Sequence, residues 1–262
     1  MPTRRIFLGG LLRGAASVAA GLSLGQLVSS KAALARGVKK SASTRWGFLV
    51  DTEKCVGCGM CVKACKLENE IPLDANVTRT WVERYVLTGD GKVHADSPRG
   101  ALDGFTSMSI DLGQGRREEI KAEDVKKGFF VPKLCNQCEN PPCVQVCPVG
   151  ATYQTAEGIV LVDRKWCIGC GYCIMACPYG ARFFHPKYNV ADKCTFCYHR
   201  ITRGLQPACV VACPFGARKI GNLKDPEDSV TKVIETESVA VLKEEFGTRP
   251  QAYYLHMSME VR

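Results

Sequence analysis

The sequence lacks most of the features that indicate an independent enzyme or a membrane-spanning chain. It shows no Ser/His/Asp pattern, phosphate-binding loop or dinucleotide fingerprint. Its four histidines are not placed at metal-ligand spacing: His94, His185, His199 and His256. Beyond residue 35, no apolar run approaches the roughly 18 residues that a transmembrane helix needs. We therefore expect neither catalysis by this chain alone nor a direct membrane span.

Acidic residues are absent from residues 1–50, and the sequence starts instead with two arginines close to its first residue. The segment "MPTRRIFLGGLLRGAASVAAGLSLGQLVSSKAALAR" continues as an Ala/Gly/Leu-rich run that reaches the small residues "ALA" at 33–35. This pattern resembles a twin-arginine signal, an export route for proteins that fold before they cross the membrane. We predict that residues 1–35 are a signal peptide and that the mature protein is periplasmic. An amphipathic first helix of the mature protein is the alternative.

The excess of basic over acidic residues does not indicate nucleic acid binding. The formal net charge is +9, and four of the bases lie in residues 1–35. Bound iron–sulfur clusters would offset much of the remaining charge, because an oxidised cluster with four thiolates adds about −2. The positive residues are better explained as compensation for that buried negative charge, and no nucleic acid partner is expected.

Cysteine is abundant, and all 16 cysteines lie between Cys55 and Cys213 in four groups of four. Motifs one and three share the spacing C-x2-C-x2-C-x3-C, whereas motif two widens the middle gap to four residues and motif four widens it to eleven. In sequence order the motifs are Cys55, Cys58, Cys61, Cys65; Cys135, Cys138, Cys143, Cys147; Cys167, Cys170, Cys173, Cys177; and Cys194, Cys197, Cys209, Cys213.

This spacing predicts iron–sulfur clusters. Three closely spaced cysteines wrap a loop around one corner of a cubane, and the fourth faces the other way and binds a second cluster, as in bacterial two-cluster ferredoxins. Glycines at 57, 59, 169 and 171 would let the backbone approach the cluster closely. Structural zinc sites usually supply paired C-x2-C ligands, and cysteines two residues apart do not readily bridge each other. Zinc and disulfides are therefore the minor alternatives.

The segment between motifs two and three predicts how the motifs pair. "ATYQT" and "GIVLVD" read as two strands around a turn at 156–158, which is the layout of one compact two-cluster module. Motifs one and four are then left to form the other module. The predicted ligand sets are Cys135, Cys138, Cys143 with Cys177; Cys167, Cys170, Cys173 with Cys147; Cys55, Cys58, Cys61 with Cys213; and Cys194, Cys197, Cys209 with Cys65.

The predicted fold class is α+β, with two interleaved ferredoxin-like modules, short strands and long loops. "WGFLVD", "FFVPKL", "GIVLVD" and "YNVAD" read as strands that lead into the four motifs. The first module comprises residues 46–65 and 188–222, and the second comprises residues 131–187. The insertion, residues 66–130, is rich in turn formers and charges, so it is expected to dock a partner or to be a solvated loop. Residues 223–262 are expected to form a docking region, with "SVAVLKEEFGTRPQAYYLHMSMEVR" as a short amphipathic helix and an extended arm.

Residues beside the motifs have two expected roles. The aromatic residues are expected to keep water off the clusters, and ordinary core packing would look the same. These residues are Trp166, Tyr172, Phe183 and Phe196. The neighbouring bases are expected to raise the reduction potentials by their charge; they are Arg164, Lys165, Arg182 and Lys193.

The stretch from "DTEKCVGCGMCVKACKLEN" to "ACPFGARKIGNL" resembles a known family. It is similar to the four-cluster iron–sulfur subunits of dimethyl sulfoxide reductase-type molybdenum oxidoreductases, near the polysulfide, thiosulfate and tetrathionate reductase subunits. The resemblance covers about residues 46–222 and all sixteen ligand positions. Motif one has Lys66 where proline is common in that family.

The resemblance implies an electron-transfer subunit with four [4Fe-4S] clusters. Its expected partners are a large molybdopterin-containing catalytic subunit and an integral membrane subunit that reacts with quinone or quinol, through which the protein would be membrane-associated. Two other functions are compatible with the sequence. One is the electron-transfer subunit of a periplasmic nickel–iron hydrogenase, and the other is a free exported ferredoxin.

Overall fold

The computed structural model describes residues 43–261, so the predicted signal peptide lies outside the described residues. The main sheet has four strands, and β1 (Trp46–Asp51) lies at its centre beside β13 (Ala252–Leu255). Strand β1 runs antiparallel to β11 (Arg218–Asn222) and parallel to β13, whose other neighbour is the short β12 (Val239–Ala240). The apolar run of β1 suits this central position, because five of its six residues are buried.

Helix α1 (Met60–Glu68) carries the second half of motif one. It begins after Gly59, whose φ of 73° lies in the left-handed region that favours glycine. Cys61 and Cys65 are four residues apart, so both face the core on one side of the helix, and both are buried. Helix α1 packs against α5 (Ala208–Val211), which carries Cys209 of motif four. Motif one and motif four, the first and last cysteine motifs in sequence, therefore lie next to each other.

Two short hairpins frame motif three. The first pairs β7 (Thr152–Gln154) with β8 (Val160–Val162) around a turn at 156–158, as the sequence predicts. The second pairs β9 (Arg182–Phe184) with β10 (Ala191–Lys193), and β10 leads into motif four. One-turn helices hold the remaining cysteine segments: α2 (Pro142–Gln145), α3 (Tyr172–Met175) and α4 (Tyr198–Ile201).

The insertion is folded, so the expectation of a solvated loop is wrong. Its long strand β2 (Thr80–Thr88) pairs antiparallel with β6 (Val125–Leu134) on one edge and with β3 (Val93–Asp96) on the other. A small hairpin joins β4 (Ser109–Asp111) to β5 (Arg117–Glu119). The turn formers that suggested a loop connect these strands, and the strand side chains bury an apolar face that includes Val82 and Val131.

The C-terminal segment also departs from expectation. The helix is α6 (Ser229–Thr236), which ends before the predicted helical stretch begins, and residues 244–246 form only a 3-10 turn. Asp228 caps α6 by accepting a hydrogen bond from the Val230 N–H at 2.8 Å. The predicted arm is β13 in the main sheet, where Tyr254 is fully buried. The arm that was expected to dock a partner is therefore largely buried within the chain itself.

Helices and small sheets together make this an α+β protein, as predicted. Within residues 43–261, no helix combines the length and the apolarity needed to cross a bilayer.

Candidate metal centres

Cysteines from motifs one and four share a buried cavity beneath β1. Burial raises the pKa of the Cys65 thiol, and the thiolates of Cys194, Cys209 and Cys197 raise it further. Phe48 contributes an apolar wall to this cavity. Its four thiols are those of one predicted ligand set: Cys65, Cys194, Cys197 and Cys209.

The other cysteines of motifs one and four line a second cavity. Burial raises the pKa of Cys55 to about 11, even though the Gly57 N–H and the Arg218 guanidinium both act to lower it. The cavity again contains one predicted set: Cys55, Cys58, Cys61 and Cys213. Cys65 and Cys213, the last cysteines of their motifs, are thus exchanged between the two cavities. Each of these two cysteines therefore lies with the first three cysteines of the other motif.

A third group joins motif two to the last cysteine of motif three. Burial raises the pKa of Cys138 to about 12, and the thiolates of Cys135, Cys143 and Cys177 add to that rise. Cys173 of motif three is buried in a small apolar cluster, and Cys167 of the same motif packs against that cluster. Cys170 is exposed, and the fourth member of this predicted set, Cys147, is half-buried. The membership of Cys147 rests on the motif spacing.

Several N–H groups point at the sulfurs. The backbone N–H groups of Thr152, Phe196 and Ala217 donate to Cys147 Sγ, Cys194 Sγ and Cys213 Sγ at 3.4, 3.4 and 3.3 Å. Such bonds stabilise thiolates and tune the potential of an iron–sulfur cluster. The backbone is therefore arranged to hold negatively charged sulfur, which fits cluster ligation.

The cysteines are neither bridged in disulfides nor grouped around a single point in the described part of the chain. All sixteen cysteines lie in the part of the chain that the structure describes, and all are free thiols. Across that part of the chain, no three Cys, His, Asp or Glu side chains converge as a single metal ion would require. A [4Fe-4S] cluster makes no such demand, because each thiolate binds its own iron atom.

Basic side chains near the sulfurs only partly match the prediction. Arg182 Nη2 lies 3.1 Å from Cys143 Sγ, and Lys193 is fully buried with its Nζ donating to the Cys194 carbonyl oxygen at 2.9 Å. Arg164 instead covers the ring of Tyr188 at 4.5 Å, and Lys165 is exposed.

Sequence reasoning missed Arg218. It lines the cavity of Cys55, and its Nη2 is buried without a hydrogen-bond partner among the described residues, which marks a place for a negatively charged group. Burial opposes its charge, yet the neighbouring thiolates, led by Cys61 and Cys209, raise its pKa. The sequence does contain a pattern that could have identified Arg218. In "CPFGAR" and "CPYGAR", Arg218 and Arg182 each follow the last cysteine of a motif by five residues.

The aromatic residues beside the motifs differ in how deeply they are buried. Phe196 is buried and packs on Phe48 at 5.2 Å between ring centroids, as expected for a residue that keeps water out. Trp166 and Tyr172 are 67% and 58% exposed, so they do not shield the thiols from water in this chain. Of the histidines, only His185 is fully buried.

The histidines have partners other than a metal. His94, His199 and His256 lie beside carboxylates of Glu118, Glu68 and Asp51. These three histidines therefore contact carboxylates of the chain.

The fold and its cysteine sets define an iron–sulfur protein of the two-cluster ferredoxin class. Two family models, each described as a 4Fe-4S dicluster domain, match residues 54–151 and 126–223. The matched ranges overlap across motif two. Together they cover all four cysteine motifs and support four [4Fe-4S] clusters in this protein.

Known proteins resemble this chain over most of its length. A tetrathionate reductase subunit of Archaeoglobus fulgidus is 41% identical over 88% of this chain and 92% of its own length. A polysulfide reductase polypeptide of Wolinella succinogenes is 35% identical over 80% and 93%. The arsenate respiratory reductase iron–sulfur subunit of Shewanella sp. is 32% identical over 80% and 96%. The chain therefore belongs to the family of iron–sulfur subunits of these reductases.

Family membership decides between the functions left open by the sequence. The protein is an electron-transfer subunit of an oxidoreductase complex and is not catalytic alone. The comparisons support this function over the hydrogenase subunit and the free ferredoxin. When bound, the clusters supply one-electron redox chemistry, and the protein's residues position, shield and polarise them.

Proposed function

We propose that the protein conducts single electrons between a large molybdopterin-containing catalytic subunit and an integral membrane subunit that reacts with quinone or quinol. The observation that carries this proposal is the position of the exposed cysteines. Cys58 and Cys170 are the two exposed ligand candidates, and they belong to different modules. A protein that accepts electrons at one end and delivers them at the other needs one accessible cluster at each end.

The ligand sets follow the thiol groups described above. We propose cross-ligation in both modules, with residues 46–65 and 188–222 as the first and residues 131–187 as the second. The four sets are Cys55, Cys58, Cys61 with Cys213; Cys194, Cys197, Cys209 with Cys65; Cys135, Cys138, Cys143 with Cys177; and Cys167, Cys170, Cys173 with Cys147.

Exposed apolar residues flank both exposed cysteines in sequence, which supports docking at each of them. Near Cys58 they include Val56 and Met60, which are about half exposed. Around Cys170 they are more prominent, and Met175 is 86% exposed. Several exposed apolar residues this close in sequence to an exposed ligand candidate favour an interaction site there. The residues beside Cys170 are Trp166, Ile168, Tyr172 and Met175.

Two other regions are proposed as secondary docking surfaces. The insertion, residues 66–130, exposes Met108 and Leu112 on either side of strand β4 in its small hairpin. In residues 223–262 the proposal is limited to the surface around Phe246, which is 56% exposed, because β13 is buried in the main sheet. Export through the predicted signal peptide, residues 1–35, would place the complex on the periplasmic side of the membrane.

Purification of the native complex tests the proposed partners. The protein, tagged at its C-terminus, is isolated anaerobically in mild detergent, and its metals and co-purifying subunits are identified. Iron with molybdenum or tungsten, together with a membrane subunit, is expected. Iron with nickel, or iron with no second subunit, would overturn the proposed partners.

A surface variant tests the proposed docking end. Met175→Glu places a charge in the apolar surface beside Cys170 and should lose a subunit while retaining iron. Leu205→Glu is the matched control, because Leu205 is a 51% exposed apolar residue outside that surface. Equal subunit recovery from both variants would contradict docking at Cys170.

A further inference from the structure

Most buried basic side chains in this protein have an ordinary partner. Arg79, Arg84 and Lys133 lie 2.8, 2.8 and 2.6 Å from carboxylate oxygens of Asp192, Asp96 and Glu83. Lys66 donates to backbone carbonyl oxygens in residues 72–75. A buried charge requires such compensation, since desolvation of an unpaired ion is costly.

Three other buried bases form no salt bridge to a carboxylate within residues 43–261, and their charged neighbours include cysteine thiolates. They are Arg182, Lys193 and Arg218, which are 4%, 0% and 2% exposed. Each is placed between two different ligand sets. The three positions correspond to the three contacts between successive sets along the molecule.

Arg182 lies between the two sets of the second module. Its Nη2 is 3.1 Å from Cys143 Sγ, and its charge also interacts with Cys173 of the neighbouring set. Cys143 and Cys173 pack in one apolar group, so the two sets meet at this point. Arg182 Nη1 donates to Thr152 Oγ1 at 3.3 Å, which helps to fix the guanidinium in this position.

Lys193 lies where the two modules meet. Its charge interacts with Cys135 and Cys143 of the second module and with Cys194 of the first. Cys135 and Cys194 also belong to the same buried cluster. The Lys193 ammonium donates to the carbonyl oxygens of Val160 and Cys194, one from each module, so it is held across the junction.

Arg218 lies between the two sets of the first module. Its charge interacts with Cys61 and Cys55 of one set and with Cys209 of the other. Cys61 and Cys209 lie in the same buried cluster, where α1 packs against α5. Its Nη1 donates to Thr80 Oγ1 at 2.9 Å, and its Nη2 has no partner in the described part of the chain.

We propose that Arg182, Lys193 and Arg218 are three fixed positive charges, one in each gap between consecutive clusters, and that each raises the reduction potentials of the two clusters it separates. The inference rests on the proposed ligand sets. It orders the clusters in one line, from the set of Cys170 through those of Cys138 and Cys197 to the set of Cys58.

The physical reason is that reduction adds one negative charge to a cluster. A cation held nearby in a site with little water stabilises the reduced form more than the oxidised form. Because each cation is shared by two clusters, it also offsets repulsion between electrons on neighbouring clusters. Removing one charge should therefore lower two specific midpoint potentials and leave the other two near their original values.

The test is an EPR-monitored redox titration of the anaerobically purified complex carrying Arg182→Gln, Lys193→Met or Arg218→Gln. For each affected cluster we expect the reduced-to-oxidised ratio at fixed potential to fall about tenfold, or about 59 mV for a one-electron couple. Arg182→Gln and Arg218→Gln should shift complementary pairs of clusters. Lys193→Met should shift one cluster from each of those pairs.

Control variants distinguish the effect of the lost charge from the effect of a destabilised fold. Arg182→Lys and Arg218→Lys retain the charge and should keep midpoints close to those of the wild type. Arg84→Gln removes a buried, carboxylate-paired base in the insertion and should reduce stability without moving any midpoint. The iron content of every variant is measured, so that lost clusters are not mistaken for shifted ones.

The outcomes distinguish this inference from the function on which it rests. Four clusters with unshifted midpoints in the charge-removing variants would overturn the role of the cations and leave the electron-transfer proposal standing. A shift of the same clusters by Arg182→Gln and Arg218→Gln would overturn the linear order. A wild-type protein with fewer than four clusters would instead contradict the ligand sets themselves.

Discussion

Cys65 and Cys213 each lie with cysteines of a distant motif. Cys65 is seven residues from Cys58 in sequence, yet it shares a cavity with Cys197 of motif four. Cys58 shares its cavity with Cys213. This exchange follows from local geometry, because the last cysteine of a motif lies a helical turn beyond the loop that the first three form. We therefore expect the four ligands of each cluster to come from one spatial group of cysteines and not from one sequence motif.

Pairs of serine substitutions distinguish spatial groups from sequence motifs. Cys65→Ser with Cys197→Ser disrupts one proposed set and should lower iron to about twelve atoms per chain. Cys65→Ser with Cys58→Ser alters one motif but two proposed sets and should lower it to about eight atoms. Iron and acid-labile sulfide are measured on anaerobically purified protein. The reverse order of losses would show that each motif binds its own cluster.

At the scale of elements, the insertion packs directly on the loop of motif one. A Cβ on Gly59 would lie 2.0 Å from the Ala101 carbonyl oxygen, and a Cβ on Gly57 would lie 2.6 Å from the Phe130 ring. Both glycines also have positive φ. The folded insertion therefore holds the cysteine loop in place, in addition to any docking role.

Gly59→Ala should disturb one cluster selectively. The substitution adds left-handed backbone strain of about 1 kcal/mol and a backbone clash that only movement of the loop can relieve. Loss of about four iron atoms, the content of one cluster, and a lower unfolding temperature are expected. Gly91→Ala is the control, because Gly91 has φ 84° but no atom within 4 Å of the added Cβ. Full iron content in Gly59→Ala would show that the contact is not needed.

Short-range sequence signals predicted some elements better than others. β1 and the β7–β8 hairpin follow from apolar runs bounded by turn residues, and the spacing of the cysteines yields ligand sets that stay a prediction. The β2–β6 pairing was missed because a long turn-rich segment, which includes β3, β4 and β5, separates its two strands. β13 was missed because its parallel pairing with β1 joins residues from opposite ends of the described chain, and no local pattern specifies that partner.

At the scale of the molecule, the C-terminal strand closes the sheet that supports the first module. β13 lies between β1 and β12, so it is an interior strand of the main sheet. Tyr254 and Ala252 are fully buried in it. The C-terminal segment therefore contributes to the core near motifs one and four.

Removal of residues 248–262 tests this contribution. Loss of buried Tyr254 alone should cost about 3–5 kcal/mol, and loss of the strand also leaves β1 unpaired on one side. We expect the truncated protein to lose stable folding and cluster retention, as measured by thermal unfolding and iron content. Removal of residues 258–262 only, which retains all of β13, is the control. If the protein without residues 248–262 kept its unfolding temperature and its iron content, the C-terminal segment would not be needed for folding or cluster retention.

The count of iron and acid-labile sulfide in the anaerobically purified wild-type protein, with Mössbauer spectra of the same sample, tests the central claim most directly. Four [4Fe-4S] clusters predict about sixteen iron atoms and about sixteen sulfides per chain, all in cubane sites. Zinc bound in stoichiometric amounts would contradict a four-cluster electron-transfer subunit. So would a maximum iron content well below about sixteen atoms per chain.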